Sequence, residues 1–324
     1  MNEDKTPLVS VVCLTYNHAP YIRECMDGFL MQKTDFPIEV IIHDDASTDG
    51  TTDIIKEYAS KYPDIIKPII QTENQYSKHH DFNRIMQSCI EKAIGKYIAL
   101  CEGDDYWTDS SKLYKQIQFL EKESDYGLCY TKVERLDVSR NKIKDKWGQP
   151  LLNKASLLLT NPIPTPSVVI RKKIYMDYYN EISPSKRNWA MGDYPLWLYT
   201  NYVSNIKFLD IISGVYRIIT NSASHQSIIE NQIDFTISFK KIALFFANRY
   251  NNGNKDHINT LNDIIRFKLF QKYFITNDKN NLKIITNEIL TSSKNIKYKL
   301  FIFFSYFMPK SLITKYIINR YKLF

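Results

Sequence analysis

Three polar or acidic clusters in this chain each follow directly on an apolar run: Thr15-Tyr16-Asn17, Asp44-Asp45 and Glu102-Gly103-Asp104-Asp105. A strand fixes the backbone of the residues at its end, so carboxylates placed there converge on a small volume instead of splaying into water. Like charges held that close raise one another's pKa unless a cation neutralises them. Glu102 to Asp105 therefore suit Mg2+ or Mn2+, a hard cation that keeps waters and shares its coordination with substrate phosphates. A solvated acidic loop leading to a helix cap at Asp109 is the other reading of the same residues. At Asp44-Asp45 a carboxylate could accept from a nucleobase N–H or a ribose hydroxyl, and Asp-Asp-Ala-Ser-Thr-Asp-Gly is equally good turn chemistry. Asp193, among aromatics in Met191–Trp197, is either a general base tuned by partial burial or the N-cap of the following helix.

Other chemistries lack their residues. Nine glycines without a single Gly-x-Gly triplet exclude a glycine-rich phosphate cradle, and no HExxH, GxSxG or paired-cysteine spacing occurs. The five cysteines, Cys13, Cys25, Cys89, Cys101 and Cys129, are odd in number and form no CxxC. Cys13, Cys101 and Cys129 sit in strand-like runs and read as small core hydrophobes in a reducing compartment.

The elements that would position the clusters alternate. Leu8 to Leu14, Ile38 to Ile42, Ile65 to Ile70 and Tyr97 to Cys101 are apolar runs typical of strands buried on both faces. Amphipathic helices are predicted between them, after Pro20, after a cap at Ser47 or Thr48, over Asp81 to Ala93, and after Asp109. Such alternation indicates an α/β fold with a mostly parallel sheet flanked by helices, in which ligands gather at the carboxyl ends of the strands. Ser139 to Trp147 is charged and aperiodic, which predicts a mobile loop. Trp189 to Tyr202 reads as loop then helix, Phe208 to Ile219 as one or two strands, and the chain from Ile233 as helical. The expected division is a catalytic domain over residues 1–230 and a basic, mainly helical C-terminal extension over 231–324.

Charge divides in the same way. From Ile233 on, 16 Lys and Arg stand against 5 Asp and Glu, whereas the first 232 residues hold 27 against 30. A near-neutral body with a basic tail points to an anionic surface met by the tail. Lys297 to Phe324 alternates basic residues with Phe, Ile and Tyr, in runs too short to span a bilayer. Two readings follow: an interfacial helix with Lys299, Lys310, Lys315 and Arg320 toward anionic lipid, or a helical hairpin packed on the catalytic domain. A nucleic-acid groove should not share its cations with Phe clusters, so no nucleic-acid partner is expected. The polar N-terminus has no signal-peptide core, and a cytoplasmic location at the inner face of the cell membrane is expected.

Taken together, the segments resemble the family 2 glycosyltransferases of the GT-A fold, of the bacterial surface-polysaccharide type. Val9 to Asn17 looks like the first strand and its Thr-Tyr-Asn turn, Glu39 to Thr51 like the Asp-Asp-Gly-Ser-Thr-Asp signature, and Gly95 to Trp107 like the metal-binding segment. The resemblance implies a metal-dependent, inverting transfer of a sugar from a nucleotide-sugar, UDP-linked, to a hydroxyl of a glycan or lipid-linked acceptor. By that resemblance Thr15, Tyr16, Asn17 and Asp45 hold nucleobase and ribose, with Asp44 supporting that wall. Asp104 binds the cation, Glu102 or Asp105 completes the acidic turn, Arg217 lies near the phosphates, and Asp193 is the catalytic base. Trp107 either stacks on a sugar or packs in the core, and Thr165-Pro166-Ser167 lines the acceptor pocket. Two departures are visible: Glu102 stands where the family has Asp, and Ile219 where a His often follows the Tyr-Arg pair, with His225 as a substitute. A non-catalytic nucleotide-sugar-binding module and a nucleotidyltransferase on a related sheet are the alternatives; the second is expected to need the glycine-rich first turn that Thr15 to Pro20 lacks.

Overall fold

The computed structural model describes residues 6–187, 189–219, 228–250 and 255–321, and the chain divides into two compact units. One runs to Leu152 and resumes over Pro162–Ile218; the other comprises Asn153–Asn161 and the described residues from Ile219 on. This division differs from the one drawn at residue 230. Composition changes only where the first long helix of the tail begins, whereas the chain leaves the sheet at Ile218.

The first unit is built on nine strands: β1 (Val9–Thr15), β2 (Ile38–Asp44), β3 (Ile66–Ile70), β4 (Tyr97–Leu100), β5 (Tyr106–Trp107), β6 (Tyr126–Asp137), β7 (Lys142–Trp147), β8 (Val169–Arg171) and β9 (Asn205–Ile218). Their order is β3-β2-β1-β4-β8-β6-β9-β5, with β7 paired to β6. The four strands β3-β2-β1-β4 are parallel, with β1 buried at all seven positions because helices cover both faces. Helices α1 (Ile22–Leu30), α2 (Thr51–Lys61), α3 (Gln75–His79) and α4 (Phe82–Lys92) fall between these strands, and α5 (Lys112–Lys122) follows β5. Phe29, Met26 and Cys25 on one face of α1 join Val11, Cys13 and Ile42 in the core. All five cysteines are free and buried, as expected of small hydrophobes.

Beyond β4 the sheet mixes directions: β8 is antiparallel to β4 and β6, β9 is parallel to β6, and β5 is antiparallel to β9. The segment read as a mobile loop is strand β7. Its Lys-Ile-Lys-Asp-Lys-Trp sequence hides the strand because backbone pairing with β6 and cross-strand contacts define it. Arg135 grips Asp145 with two bonds of 2.5 Å, and Trp147 packs edge-on to Tyr216 at 5.4 Å. Neither Ser47 nor Thr48 caps α2; Asp49 accepts from the Thr51 N–H at 3.0 Å, and Gly50 turns the chain at φ 99°. Asp81 caps α4 through the Arg84 N–H.

Lys112 of α5 is completely buried, with its ammonium 2.8 Å from Gln116 Oε1 and 4.2 Å above the Trp107 ring. Burial pushes its pKa down from 10.5 to about 7. The unfolded chain therefore binds one more proton than the fold across that window, and stability contributed here rises with pH between those two values. Lys112→Met is expected to flatten that rise in thermal melts taken across the window. An unchanged slope would mean that the amine reaches solvent.

α6 (Ser156–Leu159) belongs to the second unit, while α7 (Lys172–Ile182) and α8 (Asp193–Val203) belong to the first. The second unit continues with α9 (Ile229–Tyr250), α10 (Lys255–Ile275), α11 (Lys279–Ser292), α12 (Ile296–Ser305) and α13 (Lys310–Tyr321). Ile233, Ile237, Ile265, Ile313 and Ile317 form one apolar cluster, and Phe267, Phe270, Ile285, Ile289 and Ile302 another. Lys272 of α10 bridges to Asp234 of α9, and Lys240 donates to the Leu159 carbonyl at 2.6 Å. Among the described residues no helix is long and apolar enough to cross a membrane.

Candidate active site

The parallel register brings three strand ends side by side. Thr15 pairs with Asp44, the Asp45 N–H donates to Thr15 O at 3.0 Å, and the Gly103 N–H donates to Leu14 O at 2.9 Å. Gly103 has no room for a side chain: a Cβ there would lie 2.7 Å from Thr15 Oγ1 and 3.0 Å from His18 Nδ1. The acidic turn thus presses its backbone against the end of β1.

Most of the polar groups on the β1–β2 side brace one another. The Asp44 carboxylate is fully buried and accepts from the Ser47 and Thr52 hydroxyls and the Ser47 N–H, so it holds the turn instead of facing a ligand. Asn17 sits at φ 55°, with its N–H on Ser47 Oγ at 2.8 Å and its Oδ1 accepting from Thr48 N. It ties the first turn to the second. Asp45 accepts from the Gln75 and Tyr76 N–H groups at 2.7 and 3.0 Å, which binds it to the start of α3. Tyr16 stands 46% exposed at the rim, available to a planar ligand. Thr15 Oγ1 and His18 Nδ1 are buried atoms without a hydrogen-bond partner. Burial lowers the His18 pKa, while Asp104, Asp49 and Asp44 pull the other way. His18 escaped the sequence reading because a turn histidine carries no periodic signal.

The acidic turn is held from below by β9. Asp105, 1% exposed, accepts from the Arg217 N–H at 2.8 Å, and burial followed by repulsion from Asp104 raises its pKa well above the carboxylate range. Arg217 donates to the Asp104 carbonyl at 2.5 Å, pairs with Glu24, and lies 4.4 Å from the Tyr106 ring centre and 5.0 Å from that of Tyr21. Asp105 and Arg217, which the resemblance placed against the nucleotide-sugar, thus spend their polar groups on the turn and, for Arg217, on Glu24 of α1. Trp107 takes the packing role: it is 2% exposed, its ring meets Phe29 edge-on at 4.8 Å, and its Nε1 donates to Pro166 O at 2.6 Å. A side chain so enclosed cannot stack on a sugar.

Glu102, Asp104 and Asp193 remain, and these three share one electrostatic neighbourhood. The Glu102 carboxyl is pushed up to about 8 by burial first, then by Asp104 and Asp193. Asp193 opens α8, where Oδ1 accepts from the Tyr194 N–H and Oδ2 from the Thr165 hydroxyl, both at 2.7 Å. Burial raises its pKa against those two bonds. The Thr165–Ser167 turn that presents this hydroxyl is fixed by Trp107 on Pro166 O and by Gln116 Nε2 on Ser167 O at 2.9 Å. Thr165 therefore positions Asp193, a role more specific than lining a pocket. Among the described residues no group of three or more His, Cys, Asp or Glu is arranged as a metal cage. Ile219 stands where a histidine was sought, and His225 lies outside the described residues.

The model of glycosyl transferase family 2 matches residues 10–179, just over half of the sequence, and the chain belongs to that family. An uncharacterised protein of Mycobacterium tuberculosis is 43% identical over 170 residues, covering 51% of this chain and 47% of that protein. The UDP-Glc:alpha-D-GlcNAc-diphosphoundecaprenol beta-1,3-glucosyltransferase WfaP of Escherichia coli is 37% identical over 116 residues, 36% of this chain and 42% of that enzyme. The chain thus matches less than half the length of either relative. Among solved structures, S. aureus TarS 1-349 in complex with UDP-GlcNAc superposes with a TM-score of 0.61 at 16% identity, covering 88% of this chain and 81% of that one. The mannosyltransferase PcManGT from Pyrobaculum calidifontis, in complex with GDP-Man and Mn2+, gives 0.53 at 16% identity over 97% and 85%. At that identity the likeness is one of fold, and it places the α/β sheet with its helical C-terminal region among GT-A-like proteins.

Proposed function

We propose that this family 2 glycosyltransferase transfers a sugar from a UDP-sugar to a hydroxyl of a glycan or lipid-linked acceptor, with inversion, in bacterial polysaccharide synthesis. The observation that carries the reading is the cluster of Glu102, Asp104 and Asp193, the first repelled by the other two. Asp193 is the catalytic base. Its carboxylate takes the proton of the acceptor hydroxyl, whose oxygen forms the new bond to the anomeric carbon as the bond to the diphosphate breaks and UDP leaves. Attack from the face opposite the leaving group inverts the configuration. Partial desolvation suits the role, because a base with a raised pKa takes a proton more readily.

In this reading the acidic turn would take a divalent cation, Mn2+ or Mg2+. Asp104 would hold it, with Glu102 alongside, and repulsion within the cluster is what a bound cation relieves. Such a cation supplies charge neutralisation on the departing diphosphate. The exposed Tyr16 ring and the remaining acceptor capacity of Asp45 would meet the nucleoside. The cytoplasmic enzyme would meet the inner face of the membrane through its basic C-terminal helices, where lipid-linked acceptors lie.

Calorimetric titration of nucleotide sugars with and without Mn2+ tests the donor, and the anomeric proton coupling of the product tests inversion. Binding of no nucleotide sugar would refute the reading, and a retained configuration would refute its stereochemistry. A non-catalytic binding module would bind donor yet release no UDP when acceptor is added. Thr165→Val is expected to lower kcat by about tenfold or more with little change in donor KM, since it removes one hydrogen bond to a charged group. Thr165→Ser should restore the rate; a loss that serine does not rescue would mean that the threonine methyl packs the turn and the hydroxyl does not matter.

A further inference from the structure

Helix α12 packs with one face and leaves an apolar face uncovered. On the packed side Tyr298 stacks on Phe267 with ring centres 4.1 Å apart, Phe301 meets Phe267 edge-on at 5.3 Å, and Ile302 is fully buried. On the other side Ile296, Leu300, Phe303 and Phe304 follow one another at helical spacing and reach water, and Phe307 in the turn after the helix continues the line with 74% of its surface exposed. Phe303 lies 5.8 Å from Phe304 and 5.1 Å from Phe307, so the rings form one continuous stripe, extended by the exposed Met308.

An aromatic stripe of this kind marks an interaction surface, and charge selects its occupant. Residues 289–324 contain seven Lys and Arg and no Asp or Glu. A second copy docked face to face would crowd those cations together without a counter-charge. An anionic bilayer offers both things the face lacks: an acyl layer for the rings and phosphates for the lysines. A helix of ten residues is too short to span that layer and long enough to lie in its plane.

We infer that α12 and the turn that follows it dock on a membrane, with Phe303, Phe304 and, just past the helix end, Phe307 inserted at the headgroup–acyl boundary and Lys297, Lys299 and Lys315 at the lipid phosphates. The inference rests on the membrane location proposed above and assigns it to named residues; it does not depend on the transfer chemistry. Flotation of the full chain with phosphatidylcholine vesicles, alone or containing phosphatidylglycerol, tests it, with donor binding measured beside it as a check on the fold. The wild type should float with the anionic vesicles and not the neutral ones, and less so as salt rises. The triple variant F303S/F304S/F307S should bind those vesicles about a hundredfold more weakly with donor binding intact. K297Q/K299Q should lose about tenfold at low salt. A triple variant that floats as well as the wild type would overturn the face while leaving membrane location standing. A wild type that floats with neither vesicle would overturn both. A concentration-dependent dimer abolished by the triple variant would assign the stripe to self-association and overturn the inference too.

Discussion

Asp193→Asn is expected to reduce kcat by about a thousandfold or more while the affinity for the nucleotide sugar stays within about twofold of the wild type. The substitution keeps the shape of the side chain and an oxygen that can still accept from Thr165 or from the Tyr194 N–H, so the start of α8 is preserved. It removes the lone pair that takes the acceptor's proton. It also removes one of the two charges repelling Glu102, which makes weaker donor binding the wrong direction for a purely electrostatic change. Calorimetry with the donor and initial rates of UDP release separate the two effects. If donor binding falls with the rate, Asp193 serves to tie the Thr165 turn to the start of α8 and is not the base.

Asp104→Ala is expected to remove the strengthening of donor binding by Mn2+, a loss of at least about tenfold in affinity at saturating metal, with transfer falling in parallel. The fold of the turn should survive. Arg217 binds Asp104 through its backbone carbonyl, and Asp105 keeps its bond to the Arg217 N–H, so neither contact depends on the Asp104 side chain. Glu102 remains, and a single carboxylate holds a hard cation only weakly. The check is a donor titration at several Mn2+ concentrations for both proteins. Identical metal dependence would move the cation away from the acidic turn.

The sequence made the three strand ends legible because buried parallel strands leave a strong apolar signature, and the residues just beyond them are where such sheets collect ligands. It could not show which lone pairs were already in use. Asp44, Asn17 and Asp105 look like ligand groups on paper, yet in the fold each spends its side chain on a neighbouring backbone or hydroxyl. Trp107 was ambiguous for a related reason, since adjacency to an acidic turn says nothing of which way the ring points. The partners that decide these cases are distant in sequence: Pro166 for Trp107, Arg217 for Asp105, Thr165 for Asp193. β7 was lost to its own composition, because a charged strand has no apolar alternation to read.

The clasp formed by Arg217 has a consequence for when this protein becomes competent. The family match ends at residue 179, and by then the ribosome has delivered the four parallel strands and the acidic turn. Asp193 and β9 are still to come. A nascent chain at that stage holds Asp105 without the N–H that satisfies it and Asp104 without the guanidinium that pins its carbonyl. Domains form as their segments emerge from the amino end, so the parallel strands can assemble early while the acidic turn gains its Arg217 contacts only when the last strand arrives.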